Sequence, residues 1–301
     1  MDTRKKTILD QKYDIKTINK VDENVLPIIS VSRRSDIPAY YAEKFLKDVK
    51  RGFILFKNPF NFQRLKVDIK PDKISAFVFW SKNYRPFMKA LEKINELYTG
   101  RFILHFTINN YKGKAKNILE PNIPESLEMI ELAKELSEKY GKEKLSIRYD
   151  PIIISNLTPL SERLESFEEI IENLNGYILR IYVSFVDIYK KVSRRFLKNE
   201  NRIKITEPTV EEKASLLSRM KNAASKKNIK ILTCCEDQVG QMAGIEKGHC
   251  IDVNILKKLF PDVPFTNEIR PTRNECGCYY SIDIGEYNTC KSKCLYCYAN
   301  R

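Results

Sequence analysis

No cysteine occurs before Cys234, and all eight lie in the last quarter of the 301-residue chain. A disulfide scaffold would staple loops along the whole length, so the pattern argues against one. In a reducing cytosol such a cluster points instead to metal. Long apolar runs are also missing: none approaches the roughly 18 residues a membrane span needs. The first residues, Met1 to Asp10, are charged throughout and lack the apolar stretch of a signal peptide. These absences predict a soluble, cytoplasmic protein with no membrane partner. Solenoid repeats and low-complexity linkers are absent too.

What is present supports a sizeable core, since 43% of residues are hydrophobic and 11% aromatic. The formal net charge of +14 gives a field that attracts polyanions, which leaves nucleic acid or a phosphorylated substrate open as partners. A lysine-rich solvated surface that only aids solubility would give the same number.

Short β-branched and aromatic runs recur at Ile28–Ser32, Phe53–Lys57, Ala76–Trp80, Phe102–Ile108, Leu145–Tyr149, Ile181–Val186, Ile229–Thr233 and Tyr279–Ile284. Each is followed by a polar or charged cluster and then by helical spacing, clearest over Pro124–Tyr140 and Glu211–Lys227. Strands alternating with helices predict a parallel α/β sheet, closed or partly closed as a TIM-like barrel. The expected division is a charged extension at 1–27, the main part of the barrel at 28–233 and a cysteine-rich lobe at 234–301 that completes it. In such barrels chemistry sits at the C-terminal strand ends. Those ends carry Ser32, Arg33, Arg34 and Asp36, then Lys82 and Asn83, Thr107 and Asn109, Arg148 and Asp150, Ser184 and Asp187, and Glu236. Arg148, Asp150 and Asp187 are the candidate catalytic groups, and Arg34, Asp36, Lys82 and Asn83 the candidate pocket for a cofactor. Taken singly, each could equally be an ion pair or a helix cap.

Cys290, Cys294 and Cys297 have the spacing C-x3-C-x2-C, which brings three thiolates round one face of a cubane and leaves its fourth iron without a protein ligand. With Tyr296 before the last cysteine, the motif resembles that of the radical S-adenosylmethionine superfamily. Ser32–Pro38, Phe79–Asn83, Arg148–Pro151, Ser184–Asp187 and Cys290–Arg301 also resemble a bacterial and archaeal domain-of-unknown-function family that carries this triad near its C-terminus. The resemblance runs from about Ile28 to Arg301. It implies a 4Fe-4S cluster on the triad, S-adenosylmethionine held at the open iron with Tyr296 nearby, and an electron donor such as a ferredoxin or flavodoxin. Reductive cleavage to methionine and a 5'-deoxyadenosyl radical is the implied reaction. The superfamily usually places this loop after the first barrel strand; here it follows Tyr279–Ile284, so a circularly permuted order is expected. No Gly-Gly-Glu motif is present to hold the methionine amino group, which keeps an atypical cleavage open.

Cys234, Cys250, Cys276 and Cys278 supply four further thiolates, with Cys235 a spare neighbour and His249 an optional substitute. An auxiliary iron-sulfur cluster, a structural zinc and buried free thiols all satisfy that set. Lys190, Lys191, Arg194, Arg195, Lys198, Arg202 and Lys204 follow the strand ending near Asp187 and would steer a polyanion, or form a solvated helix face. The alternative to a radical enzyme is a non-enzymatic zinc- or iron-sulfur-binding nucleic-acid module. An electron carrier with two closed clusters fits less well, because the terminal motif has only three cysteines.

Overall fold

The computed structural model describes residues 15–18 and 25–300. The remainder of the expected extension lies outside the described residues. Seven strands form one parallel sheet flanked by helices, in the order β10-β2-β5-β6-β7-β8-β9. They are β2 (Ile28–Val31), β5 (Ala76–Ser81), β6 (Phe102–Thr107), β7 (Leu145–Ile152), β8 (Arg180–Phe185), β9 (Lys230–Thr233) and β10 (Ile282–Asp283). β2 and β8 are buried at every position, as a parallel sheet covered on both faces requires. β10, late in the chain, pairs with β2 through Ile282 opposite Ile29 and Asp283 opposite Ser30. The rest of the sheet then runs in chain order.

Phe53–Lys57 departs from expectation. As β3 it pairs antiparallel with β4 (Arg64–Asp68), and β4 pairs with β1 (Lys16–Thr17), making a separate three-stranded sheet. Its alternating half-buried and buried residues are those of a strand covered on one face, whereas the longer strands of the parallel sheet are buried along most of their length.

Alternation along the strands divides the core. Ile29, Phe77, Phe79, Leu104, Ile147 and Ile181 face the helices, among them Ser126–Tyr140 and Val210–Ser225. The second of these is fixed by a reciprocal Thr209–Glu212 capping box. Ile28, Ala76, Val78 and Ile103 face the other way and pack against Cys234, Cys250, Ile251, Val253 and Cys278. The cysteine-rich segment therefore covers the second face of the sheet. Among the described residues no helix is long and apolar enough to cross a membrane.

Candidate metal centre

The triad hangs from β10. Gly285 sits so close to β2 that an added Cβ would meet Ser32 Oγ at 1.6 Å, so only glycine fits there. Beyond it the chain turns through Cys290, Cys294 and Cys297, of which Cys294 is buried and the other two half-buried. Backbone N–H groups serve the outer sulfurs: Asp36 and Ser292 at Cys290, and Ala299 at Cys297 at 3.3 Å. Two hydrogen bonds to main-chain carbonyls hold the loop, with Leu295 N donating to Leu119 O at 3.0 Å and Asn300 Nδ2 to Cys290 O at 2.8 Å. Arg195, from the helix Lys190–Leu197, donates to the carbonyls of both Cys294 and Cys297. Burial pushes the Cys294 thiol well up, and the charges of Cys297 and Cys290 add to it.

Three soft thiols on one loop, with N–H donors aimed at two of them, suit an iron-sulfur cluster with one open iron. Among the described residues no group of three or more His, Cys, Asp or Glu side chains stands ready to hold a single metal ion. The fit therefore rests on the chemistry and placement of the donors.

Tyr296 turns inward from this loop. Its hydroxyl donates to Glu120, and Asn109 Nδ2 donates both to that hydroxyl, at 3.1 Å, and to Glu120 at 3.0 Å. Lys82 Nζ is 2.8 Å from Glu120 and 5.6 Å from the Tyr296 ring centroid. Burial alone would raise the Glu120 pKa, but Lys82 outweighs it and holds the carboxyl below its ordinary range. Burial lowers Lys82, and Glu120 more than reverses that. The pair is buried and charged.

Asn109 joins this network to a second one, since its Oδ1 accepts from Asp150 N at 2.9 Å. Asp150 accepts from Ser184 Oγ at 2.6 Å and from Arg148 through two donors, one of them Nε at 3.0 Å. Burial raises Asp150, but Arg148 overrides it and keeps the carboxylate ionised. Arg148 also faces the rings of Trp80 at 5.4 Å and Tyr182 at 5.6 Å. Trp80 stacks on His105 at 4.5 Å and donates from Nε1 to Ser30 Oγ at 3.0 Å. Burial first, and Arg148 second, lower His105 to about 3, so its imidazole is neutral.

Other expected pocket residues have structural partners. Asp36 caps the helix Ile37–Tyr40 by accepting from Ala39 N at 3.0 Å, and also accepts from Ser81 Oγ at 2.7 Å and Lys82 N at 2.9 Å. Asn83 holds its own turn, accepting from Arg85 N at 2.9 Å. Arg34 donates to Gly285 O at 3.1 Å and lies 5.8 Å over Tyr287. Asp187 is exposed and pairs with Arg273, outside the Arg148–Asp150 network. Glu236 accepts from Phe185 N at 2.7 Å, and burial raises it to about 7.

The second cysteine group closes into a ring of five. Cys234 contacts Cys235 and Cys250, Cys250 contacts Cys278, Cys278 contacts Cys276, and Cys276 contacts Cys235. The Cys234–Cys250 sulfurs are 3.2 Å apart. Cys235, expected to be a spare, belongs to the ring. His249 does not, because its Nδ1 engages Gly277 O at 2.5 Å.

Sequence reasoning missed Glu120, Trp80, His105 and Asp283 as members of the site. Asp283 accepts from Ser30 Oγ, Ser32 Oγ and Arg33 N at 2.8–2.9 Å, a role that its place in a two-residue edge strand hides. The acidic character of Glu120 beside an apolar run is the one local signal for it.

No curated protein matches this chain. Among solved structures it is similar to a putative alpha-L-fucosidase from Bacteroides thetaiotaomicron VPI-5482, with 7% identity and a TM-score of 0.35 over 77% of this chain and 85% of that one. An enolase protein from the environmental genome shotgun sequencing of the Sargasso Sea has 9% identity and a TM-score of 0.25, over 75% and 54% of the two chains. Likenesses at this level carry no argument. A family model described as a domain of unknown function, DUF1848, matches residues 28–299, and the chain belongs to that family.

Proposed function

We propose that this chain is a radical S-adenosylmethionine enzyme whose 4Fe-4S cluster is held by Cys290, Cys294 and Cys297. The observation that carries the reading is one loop with three thiols, hung from the edge strand β10 above the C-terminal ends of a parallel sheet. Read from β10, the parallel sheet has the cysteine loop after its first strand, and on this reading it is a permuted partial (β/α) barrel. The cluster, when bound, supplies one electron for reductive cleavage of S-adenosylmethionine.

The chain's own residues then do the following. Lys82 and Glu120 fix Tyr296, and so the half of the loop that carries Cys294 and Cys297. Arg148 and Asp150, oriented by Ser184 and Asn109, present a rigid charged pair at the strand ends for substrate. Trp80, stacked on neutral His105, forms an aromatic wall beside it. A substrate that is anionic or nucleic-acid-related fits the basic exterior, where Lys190, Lys191, Arg194 and Lys198 are exposed and Arg195 alone turns inward to the cysteine loop.

The second reading, a metal-dependent nucleic-acid-binding module, is favoured by one observation. Tyr189, Tyr287 and Tyr298 are 42–43% exposed beside that basic helix, with Lys191 5.9 Å over Tyr287. Exposed rings among cations can stack bases.

The test is anaerobic reconstitution of the parent and of a C290A/C294A/C297A variant, each then given dithionite and S-adenosylmethionine. Methionine and a nucleoside product from the parent only are expected. No cleavage by iron-loaded parent overturns the enzyme reading, and salt-dependent polynucleotide binding by that protein would favour the module.

A further inference from the structure

We infer that the ring of Cys234, Cys235, Cys250, Cys276 and Cys278 is a second metal centre, built to take an iron-sulfur cluster. It is separate from the triad, and the inference does not depend on radical chemistry there.

Four observations converge. The ring has five sulfurs in mutual contact, enough to supply the four thiolates that a cluster or a tetrahedral zinc takes. Four of them belong to buried cysteines, and Cys235 is the half-buried fifth, on the side where Arg273 reaches in. Guanidinium groups are aimed at the sulfurs: Arg148 Nη1 donates to Cys250 Sγ at 3.1 Å and Arg273 Nε to Cys235 Sγ at 3.1 Å. Such charge-assisted bonds favour thiolates over thiols. A third cation, Arg33, faces Cys278 and Cys250, and its Nη2 is buried without a hydrogen-bond partner. Arg33 as a whole is only half-buried, but a buried idle donor on a permanent cation is costly unless an anionic group fills the space beside it.

The fourth observation separates iron-sulfur from zinc. A run of hydrogen bonds leads from Cys250 Sγ through Arg148, Asp150 and Asn109 to the Tyr296 hydroxyl, at 3.1, 3.0, 2.9 and 3.1 Å. Tyr296 adjoins Cys297, so the two cysteine groups share one buried polar network. Zinc is redox-silent and would make no use of that link. In a cluster, hydrogen bonds to sulfur and burial are the levers that set the potential.

Filling the ring requires its sulfurs to spread: the 3.2 Å between Cys234 and Cys250 is already less than the roughly 3.8 Å between sulfurs in a tetrahedron with Zn–S of about 2.3 Å, and a cubane, which sets each thiolate on a separate iron, holds them farther apart still. Cysteine side chains can supply this by rotating about χ1. Cys234, Cys250, Cys276 and Cys278 are the ligands, and Cys235 is a fifth thiol at the exposed side.

The experiment uses the full chain carrying C290A/C294A/C297A, reconstituted anaerobically with iron and sulfide. It should retain about four irons with matching labile sulfide and show an EPR signal on reduction. Adding C250A/C278A should abolish both, whereas adding C235A should keep the iron. Arg148→Lys should keep the iron and shift the reduction potential, which a purely structural arginine would not do. The iron count and EPR signal of the first variant decide by themselves, whether or not the further altered protein folds. One zinc per chain without sulfide, no metal at all, or Cys234–Cys250 disulfide in its place would overturn the inference. Cluster retained here with no cleavage by the parent would sink the proposed function and leave this centre standing.

Discussion

The two cysteine groups reach their geometry by opposite routes. The triad lies within one turn-rich loop, so all three of its thiols come from eight consecutive residues, and contacts from Arg195 and Leu119 clamp that loop. The ring draws Cys234 and Cys235 from the end of β9 and the other three from a segment packed across the second face of the sheet. A site written in one loop can survive damage to the fold that a site assembled from distant segments cannot. The difference predicts separate failure of the two centres.

The largest separation should come from the Lys82–Glu120 pair, whose side chains are 16% and 6% exposed. Removing either partner strands a buried charge and should cost about 3–5 kcal/mol in urea unfolding. Lys82→Met with Glu120→Leu should cost less than either single alanine change. Triad iron should fall before ring iron in the single variants, and equal loss would mean that the centres are not separable in this way. The same pair gives a pH limb. Because the folded Glu120 lies below its ordinary 4.5, its stabilisation is full above that value and is lost as pH falls through the lower folded value. Acid unfolding of Glu120→Gln should therefore be less steep than that of the parent.

Asp36→Ala removes the acceptor for Ala39 N, Ser81 Oγ and Lys82 N and should cost on the order of 2 kcal/mol, read as a lower urea midpoint. Arg195→Ala should cost about 1.5 kcal/mol. It should also speed removal of triad iron by a chelator while leaving ring iron unchanged; if both are released faster, Arg195 does not act through the loop. Smallest is Thr209→Ala, which opens a capping box remote from both groups. A loss of about 1 kcal/mol with no change in metal content is expected.

Much of the sheet was legible, because strands buried on both faces must be continuous apolar runs, as Ile28–Val31 and Arg180–Phe185 largely are. Phe53–Lys57 misled because β-branched and aromatic content marks a strand without saying which sheet it joins. The triad was legible from spacing. Glu120 was not, since it meets Tyr296 across 176 positions of sequence, and Arg148 meets Cys250 across 102. Asp36 and Asn83 were read as pocket residues, yet short polar side chains after a strand serve backbone N–H groups equally well.

By itself the sequence determined the α/β alternation, the clustering of thiols and the three-thiol loop, because each depends on spacing along the chain. Tertiary structure decided that Cys235 closes a five-membered ring, that Asp187 stands apart, and that one network joins Arg148 to Tyr296. These depend on which strand lies beside which and on which segment covers the sheet. Burial of the whole apolar surface selects that arrangement, and no short stretch of residues encodes it.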